Sequence, residues 1–256
     1  MVAASIRAFL PRAVRPAGYL GREVFAKTRG RVHSGPFQGM LYIRESFASC
    51  YIPKVLGIYE RELHTVIEQA CQLRPDLIVD IGAAEGYYAA GMALRNPGTR
   101  VVAFEMEETG RARLRKLVAL NNLQAAVEVR GKCEADELQS LLTWANAPLV
   151  ICDCEGYEVV LLDPQTVNGL GNASILVEIH EFLAPGAAAT LSQRFSISHE
   201  IAQIAATDRS PGEYPFRSLY YMLLPGRYRR SVVGEWRPPG MSWLWMRPRN
   251  LPRGPA

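Results

Sequence analysis

Long apolar runs are missing from this chain. No stretch reaches the roughly 18 uncharged residues that a membrane-spanning helix needs. The most apolar candidate, residues 77–94, is interrupted by Asp80 and Glu85. Cysteines are few: five, an odd number scattered among apolar neighbours, suit a reducing compartment rather than a disulfide framework, and a cytoplasmic location is expected. Cys152-x-Cys154 has no second pair and does not have zinc spacing. The first 32 residues are basic but lack a long hydrophobic segment and a small-residue cleavage site, so secretion is not expected. No nucleic-acid motif appears and aromatic–basic interleaving is modest, so nucleic acid is not expected as a partner. No internal repeat or low-complexity tract stands out.

What is present is enough for a full core in one large domain: 256 residues, 48% of them hydrophobic. The net charge of +4 hides a segregation, with +6 in residues 1–32, −8 in 33–212 and +6 in 213–256. Basic ends of this kind suit contact with an anionic membrane surface or a lipid-linked substrate; solvated flanks are the plainer alternative. Residues 1–32 read as a poorly ordered or surface-lying arm, in which Ile6, Phe9 and Leu10 suit one amphipathic turn that Pro11 and Pro16 stop from growing. Residues 33–74 read as an extension, irregular at first and then helical over 57–73, with Leu63, Val66, Ile67 and Ala70 on one face. From 75 to 247 strand and helix patterns alternate, with strands expected at 77–80, 100–105, 126–130, 148–153, 175–180, 199–205 and 241–246. A loose tail is expected over 248–256. The alternation predicts an α/β, Rossmann-like doubly wound fold, a mostly parallel seven-stranded sheet with helices on both faces.

The most informative segment is residues 77–106, LIVDIGAAEGYYAAGMALRNPGTRVVAFEM. An apolar strand ends in Asp80 and turns through Gly82 and Gly86, and a second strand ends in Glu105 beside Met106. Glycines at a strand-to-helix turn let the backbone take positive φ and approach a ligand. A dinucleotide site would require G-x-G-x-x-G to seat a pyrophosphate. Here Ala84 and Tyr87 fill the second and third glycine positions, and Tyr87 is too bulky for that role. Asp80 would repel a diphosphate but attract an ammonium group, and Glu105 is placed to accept hydrogen bonds from ribose hydroxyls. A nucleoside with an amino-acid tail and no phosphate fits, and S-adenosylmethionine is the obvious candidate. The alternative is a generic βαβ unit whose glycines only make a turn.

The other strand ends carry the remaining acids. Cys133 and Glu134 stand where an adenine-reading residue is expected; Glu134 is equally suited to the first turn of the following helix. Asp153 should point at the methyl donor and acceptor. Glu155 and Glu158 would share a helix face, with one of them binding backbone amides at the turn. Strand alternation puts Glu178 and His180 on one side, and His180 is a reasonable general base for a hydroxyl, or else a hydrogen-bonded strand-end histidine. A divalent cation on Asp153, Glu178 and His180 is an option that their unspecific spacing does not favour, so no metal is expected.

These residues together resemble a class I S-adenosylmethionine-dependent methyltransferase, and more narrowly the FkbM-type methyltransferase family. VDIGAAEGYYA (79–89), VAFEMEE (102–108) and ICDCEGYEVVLL (151–162) carry the likeness, and ILVEIHEF (175–182) and Tyr59-Glu60-Arg61-Glu62-Leu63 extend it. The resemblance implies Asp80, Gly82, Gly86 and Glu105 at the cofactor, and Asp153 and Glu155 at the reaction centre. It also implies O-methylation of a sugar, glycan or other natural-product hydroxyl. Methylation of a nitrogen or a protein, or a non-catalytic module that binds S-adenosylmethionine, are the alternatives. The chain departs from the family where ICDCEG replaces a KIDVEG-like fourth strand and Met106 replaces a proline.

Overall fold

The computed structural model describes residues 16–44, 50–238 and 240–250. Seven strands form one sheet: β1 (Leu77–Ile81), β2 (Arg100–Phe104), β3 (Val127–Arg130), β4 (Leu149–Cys152), β5 (Ser174–Ile179), β6 (His199–Ala205) and β7 (Ser242–Pro248). Their spatial order is β3-β2-β1-β4-β5-β7-β6. The first five run parallel, and β7 is antiparallel to both of its neighbours. Strand order reverses between β1 and β4, which opens a crevice at their carboxyl ends where ligands bind in such sheets.

The parallel strands are apolar on both sides because both faces are covered. Ile78, Val101, Ala103, Leu149, Ile151 and Leu176 pack into one core. The alternating residues Val79, Ile81, Val102, Phe104, Val150, Cys152, Val177 and Ile179 pack into the other. Helices α4 (Tyr87–Arg95) and α5 (Glu108–Leu120) lie over the first face through Ala89, Ala90, Met92, Leu114 and Leu117. Helices α6 (Ala135–Leu142), the short α7 (Glu158–Leu161) and α8 (Ala187–Phe195) cover the second with Leu138, Leu161 and Leu191. The doubly wound, seven-stranded expectation holds. Strands β2, β4 and β5 end one residue earlier than the apolar pattern suggests, so Glu105, Asp153 and His180 stand on the loops just beyond.

The N-terminal third differs from expectation. Residues 1–15 of the expected arm lie outside the described residues, but α1 (Pro16–Thr28) is a 13-residue helix with Leu20 and Val24 fully buried. Pro16 opens this helix rather than breaking it, because the first helical residue needs no amide hydrogen. Basic residues line its outer side while an apolar stripe docks on the domain. The helix expected over 57–73 begins later, as a 3-10 turn at Arg61–Leu63 followed by α3 (His64–Gln72), although Leu63, Val66, Ile67 and Ala70 are buried together as expected. Before it lies α2 (Tyr51–Leu56), which the irregular reading of 33–54 missed.

The Pro/Gly/Arg-rich stretch before β7 contains α9 (Leu219–Leu223) and α10 (Gly226–Val233), and the tail expected from 248 begins inside β7. Residues 251–256 lie outside the described residues. No helix among the described residues is long and apolar enough to cross a membrane.

Candidate active site

A cavity of about 590 Å³ lies over the carboxyl ends of β1, β2 and β4. That volume lies within the range of small-molecule sites. Asp80, Gly82, Ala84, Glu105, Met106, Cys133, Asp153 and Glu155 all line it, drawn from four separate strand ends. The glycine turn is built by backbone bonds. The Gly82 and Ala83 amides both donate to the Phe104 carbonyl, at 2.9 and 2.8 Å, and tie the turn to β2. Gly82 takes φ +82°, and a Cβ there would stand 1.6 Å from the Asp153 carbonyl oxygen, so the turn rests directly on the end of β4.

Glu105 is 7% exposed and organises its surroundings. Its Oε2 accepts from the Ala84 amide at 2.8 Å and its Oε1 from the Glu107 amide at 2.7 Å. Ala84 holds φ +48°, a conformation that costs a non-glycine residue about 1 kcal/mol and that the Glu105 contact helps to fix. Each carboxylate oxygen keeps a second lone pair for a ligand. Asp80 is 3% exposed, and its Oδ2 has no hydrogen-bond partner. Burial pushes its carboxyl up to about 7, with the Asp153 and Glu105 charges adding to the shift and the Ala89 amide opposing it. A buried carboxylate oxygen without a donor is costly unless a ligand supplies one.

Past β4 the character changes. Glu158 is fully buried; its Oε1 accepts from the Gly156 amide at 3.1 Å and lies 2.7 Å from His180 Nδ1. Burial raises its pKa, but the histidine and the turn amides outweigh that and hold it below the usual carboxylate range. Glu158 is therefore the member of the Glu155/Glu158 pair that binds turn amides. Glu155 lies on the loop before α7, which begins at Glu158, so the two share no helix face; both still reach His180, Glu155 at Nε2 (3.4 Å) and Glu158 at Nδ1 (2.7 Å). Asp153 is pushed up to about 6 by burial, with a hydrogen bond to Glu178 and the His180 charge opposing. Glu178 is pushed up, chiefly by burial and then by the Asp153 charge. For His180, burial lowers the pKa, while the Glu158 bond and the nearby carboxylates more than restore it and leave it raised.

Behind this cluster runs a network that sequence reasoning missed. Arg237 contacts Glu178, Glu60 and Tyr59, and its Nε lies 3.1 Å from Glu235 Oε2. Glu235 in turn accepts from Arg209 Nε at 2.6 Å, and Arg209 reaches Glu62. The side chain of Arg209 is fully buried, and Arg237, one of the arginines of the positive C-terminal segment, is 14% exposed, so part of that segment's charge is internal. A second missed group is Lys54, whose Nζ lies 2.8 Å from Glu85 Oε1, with the Tyr42 hydroxyl donating to the same oxygen. A lone lysine in the apolar helix YIPKVL and a glutamate inside the glycine turn were the available signals.

Three expected site residues lie elsewhere. Gly86 faces α5, not the cavity: its φ is +95° and a Cβ would stand 2.3 Å from Leu114 Cδ1, so its role is close helix packing. Glu134 is exposed and paired with Lys132 at 2.7 Å, outside the cavity lining, while Gly131, Lys132 and Cys133 take that wall. His180 is 2% exposed and stands behind Asp153 and Glu155 rather than on the cavity wall, which argues against its taking a proton directly from an acceptor.

The sheet order and the helices on both faces define a Rossmann-like doubly wound fold. No protein-family model matches the chain, and no curated protein sequence matches it. Among solved structures it is similar to an O-methyltransferase from Bacillus cereus in complex with SAH, at 13% identity over 93% of this chain and 92% of that one, with a TM-score of 0.45. It is also similar to a human methyltransferase 10 domain containing protein, at 11% identity, 88% and 96% coverage and TM-score 0.47. A third likeness is to the B. subtilis M1A22 tRNA methyltransferase TrmK, at 10% identity and TM-score 0.44, covering 71% of this chain. The chain spans 64% of the length of that protein. Likeness at this level says nothing about substrate.

Proposed function

We propose that the protein is an S-adenosylmethionine-dependent methyltransferase of the FkbM type, acting on a hydroxyl of a sugar, glycan or other small natural product. The observation that carries the reading is Asp80: a carboxylate 3% exposed, lining the cavity, with one oxygen lacking any donor. An ammonium group meets that need, and a phosphate does not. Glu105, with both oxygens already oriented by backbone amides, suits a ribose diol, and Met106 and Cys133 offer apolar surface for a base. The cofactor supplies a methyl group on a sulfonium, which needs no help in leaving. The residues of this chain align the acceptor, which alone is worth several kcal/mol in favourable cases. Asp153 and Glu155 line the cavity beyond the turn and would receive the acceptor hydroxyl, with His180 and Glu178 positioning Asp153 from behind. An acid-rich wall suits holding and deprotonating a hydroxyl.

The partners belong to the same proposal. Leu219, Met222 and Leu223 are 70%, 58% and 74% exposed on α9, beside the exposed Arg217, Arg227 and Arg230. Apolar residues rimmed by arginine complement an anionic lipid surface, on which a lipid-linked acceptor would be met by a cytoplasmic enzyme. Cosedimentation with phosphatidylglycerol but not phosphatidylcholine vesicles, lost in Leu223→Asp, is expected; binding to neither would remove this part. For the activity, calorimetry should show S-adenosylhomocysteine binding. A screen of nucleotide sugars, glycans and lipid-linked saccharides with radiolabelled methyl donor should then find the acceptor. Absence of binding by the demethylated cofactor would overturn the enzyme reading.

A further inference from the structure

We propose that Asp153, Glu155 and His180 bind a divalent cation at the acceptor end of the cavity. The Nδ1 of His180 is committed to Glu158 at 2.7 Å, which orients the ring and leaves Nε2 facing the other acids. Nε2 makes no hydrogen bond among the described residues; Glu155 Oε2 lies 3.4 Å from it and Asp153 Oδ1 3.6 Å. Asp153 Oδ1 is itself buried without a hydrogen-bond partner. The converging donor atoms of the three residues all lie within 4.8 Å of one another.

A cation with bonds of about 2.1 Å holds adjacent ligands about 3 Å apart, so the two separations from His180 Nε2 need to close by only a few tenths of an ångström. One imidazole and two carboxylates with open positions is a donor set for Mn²⁺ or Fe²⁺, and a carboxylate behind the metal-bound histidine is the usual support for such a ligand. Glu158 fills that supporting place. Asp153, Glu155, Glu158 and Glu178 surround a single histidine, with Arg237 the cation on Glu178. Four carboxylates around one imidazole make an anionic setting that a dication would neutralise. Asp153 and Glu155 line the cavity, so the open positions face the acceptor. The catalytic consequence, a lowered pKa for a bound acceptor hydroxyl, rests on the methyl-transfer reading above; cation binding does not.

The test is titration of Mn²⁺ into the full chain after treatment with EDTA and desalting, with free Mn²⁺ followed by electron paramagnetic resonance. One bound equivalent is expected. Glu155→Gln should weaken binding at least tenfold without disturbing the fold, since its side chain is 73% exposed. Asp153→Asn should also weaken it. S-adenosylhomocysteine affinity, measured by calorimetry on the same samples, should survive Glu155→Gln. No bound Mn²⁺ at millimolar concentration overturns the proposal, as does binding that both substitutions leave unchanged. Mn²⁺ bound with no S-adenosylhomocysteine binding upholds the cation site and overturns the methyl-transfer reading instead.

Discussion

The two halves of the cavity are built by different means. The half proposed for the cofactor, at the ends of β1 and β2, comes from 30 consecutive residues and is shaped by backbone amides around one carboxylate, Glu105. The acceptor half gathers Glu60, Asp153, Glu178, His180 and Arg237 from across the chain and is held by buried charge. A site for a ligand common to many enzymes can be written into one local motif. A site for a particular acceptor draws on contacts that local pattern does not express.

Removing one charge should damage the second half most. Arg237→Met leaves Glu60, Glu178 and Glu235 without their shared cation, and a loss of about 3–5 kcal/mol is expected from chemical denaturation. A loss below 1 kcal/mol would mean that the network is not held as a unit. Where the halves touch, Gly82→Ala forces a Cβ onto the Asp153 carbonyl at an unfavourable φ, and should cost about 3 kcal/mol in thermal or chemical unfolding.

Within the first half, Glu105→Ala frees the Ala84 and Glu107 amides and removes the diol acceptor. Affinity for S-adenosylhomocysteine should fall roughly a hundredfold, or about 2–3 kcal/mol, by calorimetry. Asp153→Ala should lower that affinity less while impairing turnover. The opposite pattern would reverse the assignment of the two halves.

The smallest effect is in pH. Asp80 sits at about 7 because burial disfavours its charge, so the carboxylate is protonated below that pH and ionised above it. An ammonium ligand binds the ionised form. Affinity should therefore level off above about pH 7 and weaken by up to about tenfold per unit below it, with a proton released on binding in that range. Calorimetry in buffers of different ionisation enthalpy measures the released proton, and Asp80→Asn should abolish the dependence.

The cofactor half was legible because each requirement falls within a few residues. Asp80 before the turn, Gly82 in it, Tyr87 excluding a dinucleotide and Glu105 at the next strand tip are local facts, and the cavity collects Asp80, Gly82, Ala84, Glu105 and Met106 as read. Gly86 misled because its positive φ serves packing against Leu114, and a spacing rule does not distinguish a glycine facing a ligand from one facing a helix. Glu134 misled because Lys132, two residues earlier, draws it outward. Residues 16–28 were read as part of a loose or surface-lying arm, but they form a helix that buries Leu20 and Val24. Arg237 resembled the other arginines of the basic flank and Arg209 those of the stretch before it, since Glu60, Glu62 and Glu178, which they reach, lie far away in sequence.

By itself the sequence determined the alternating α/β architecture, the order of its strands along the chain and the carboxylates at its strand ends. These follow from apolar periodicity and from turn chemistry, which act over short distances. Only the tertiary structure decided which acids are buried beside His180, which arginines are internal and where the cofactor wall gives way to the acceptor wall. A buried charge is stable only beside its partner, and here Glu60 and Arg237 are 177 residues apart.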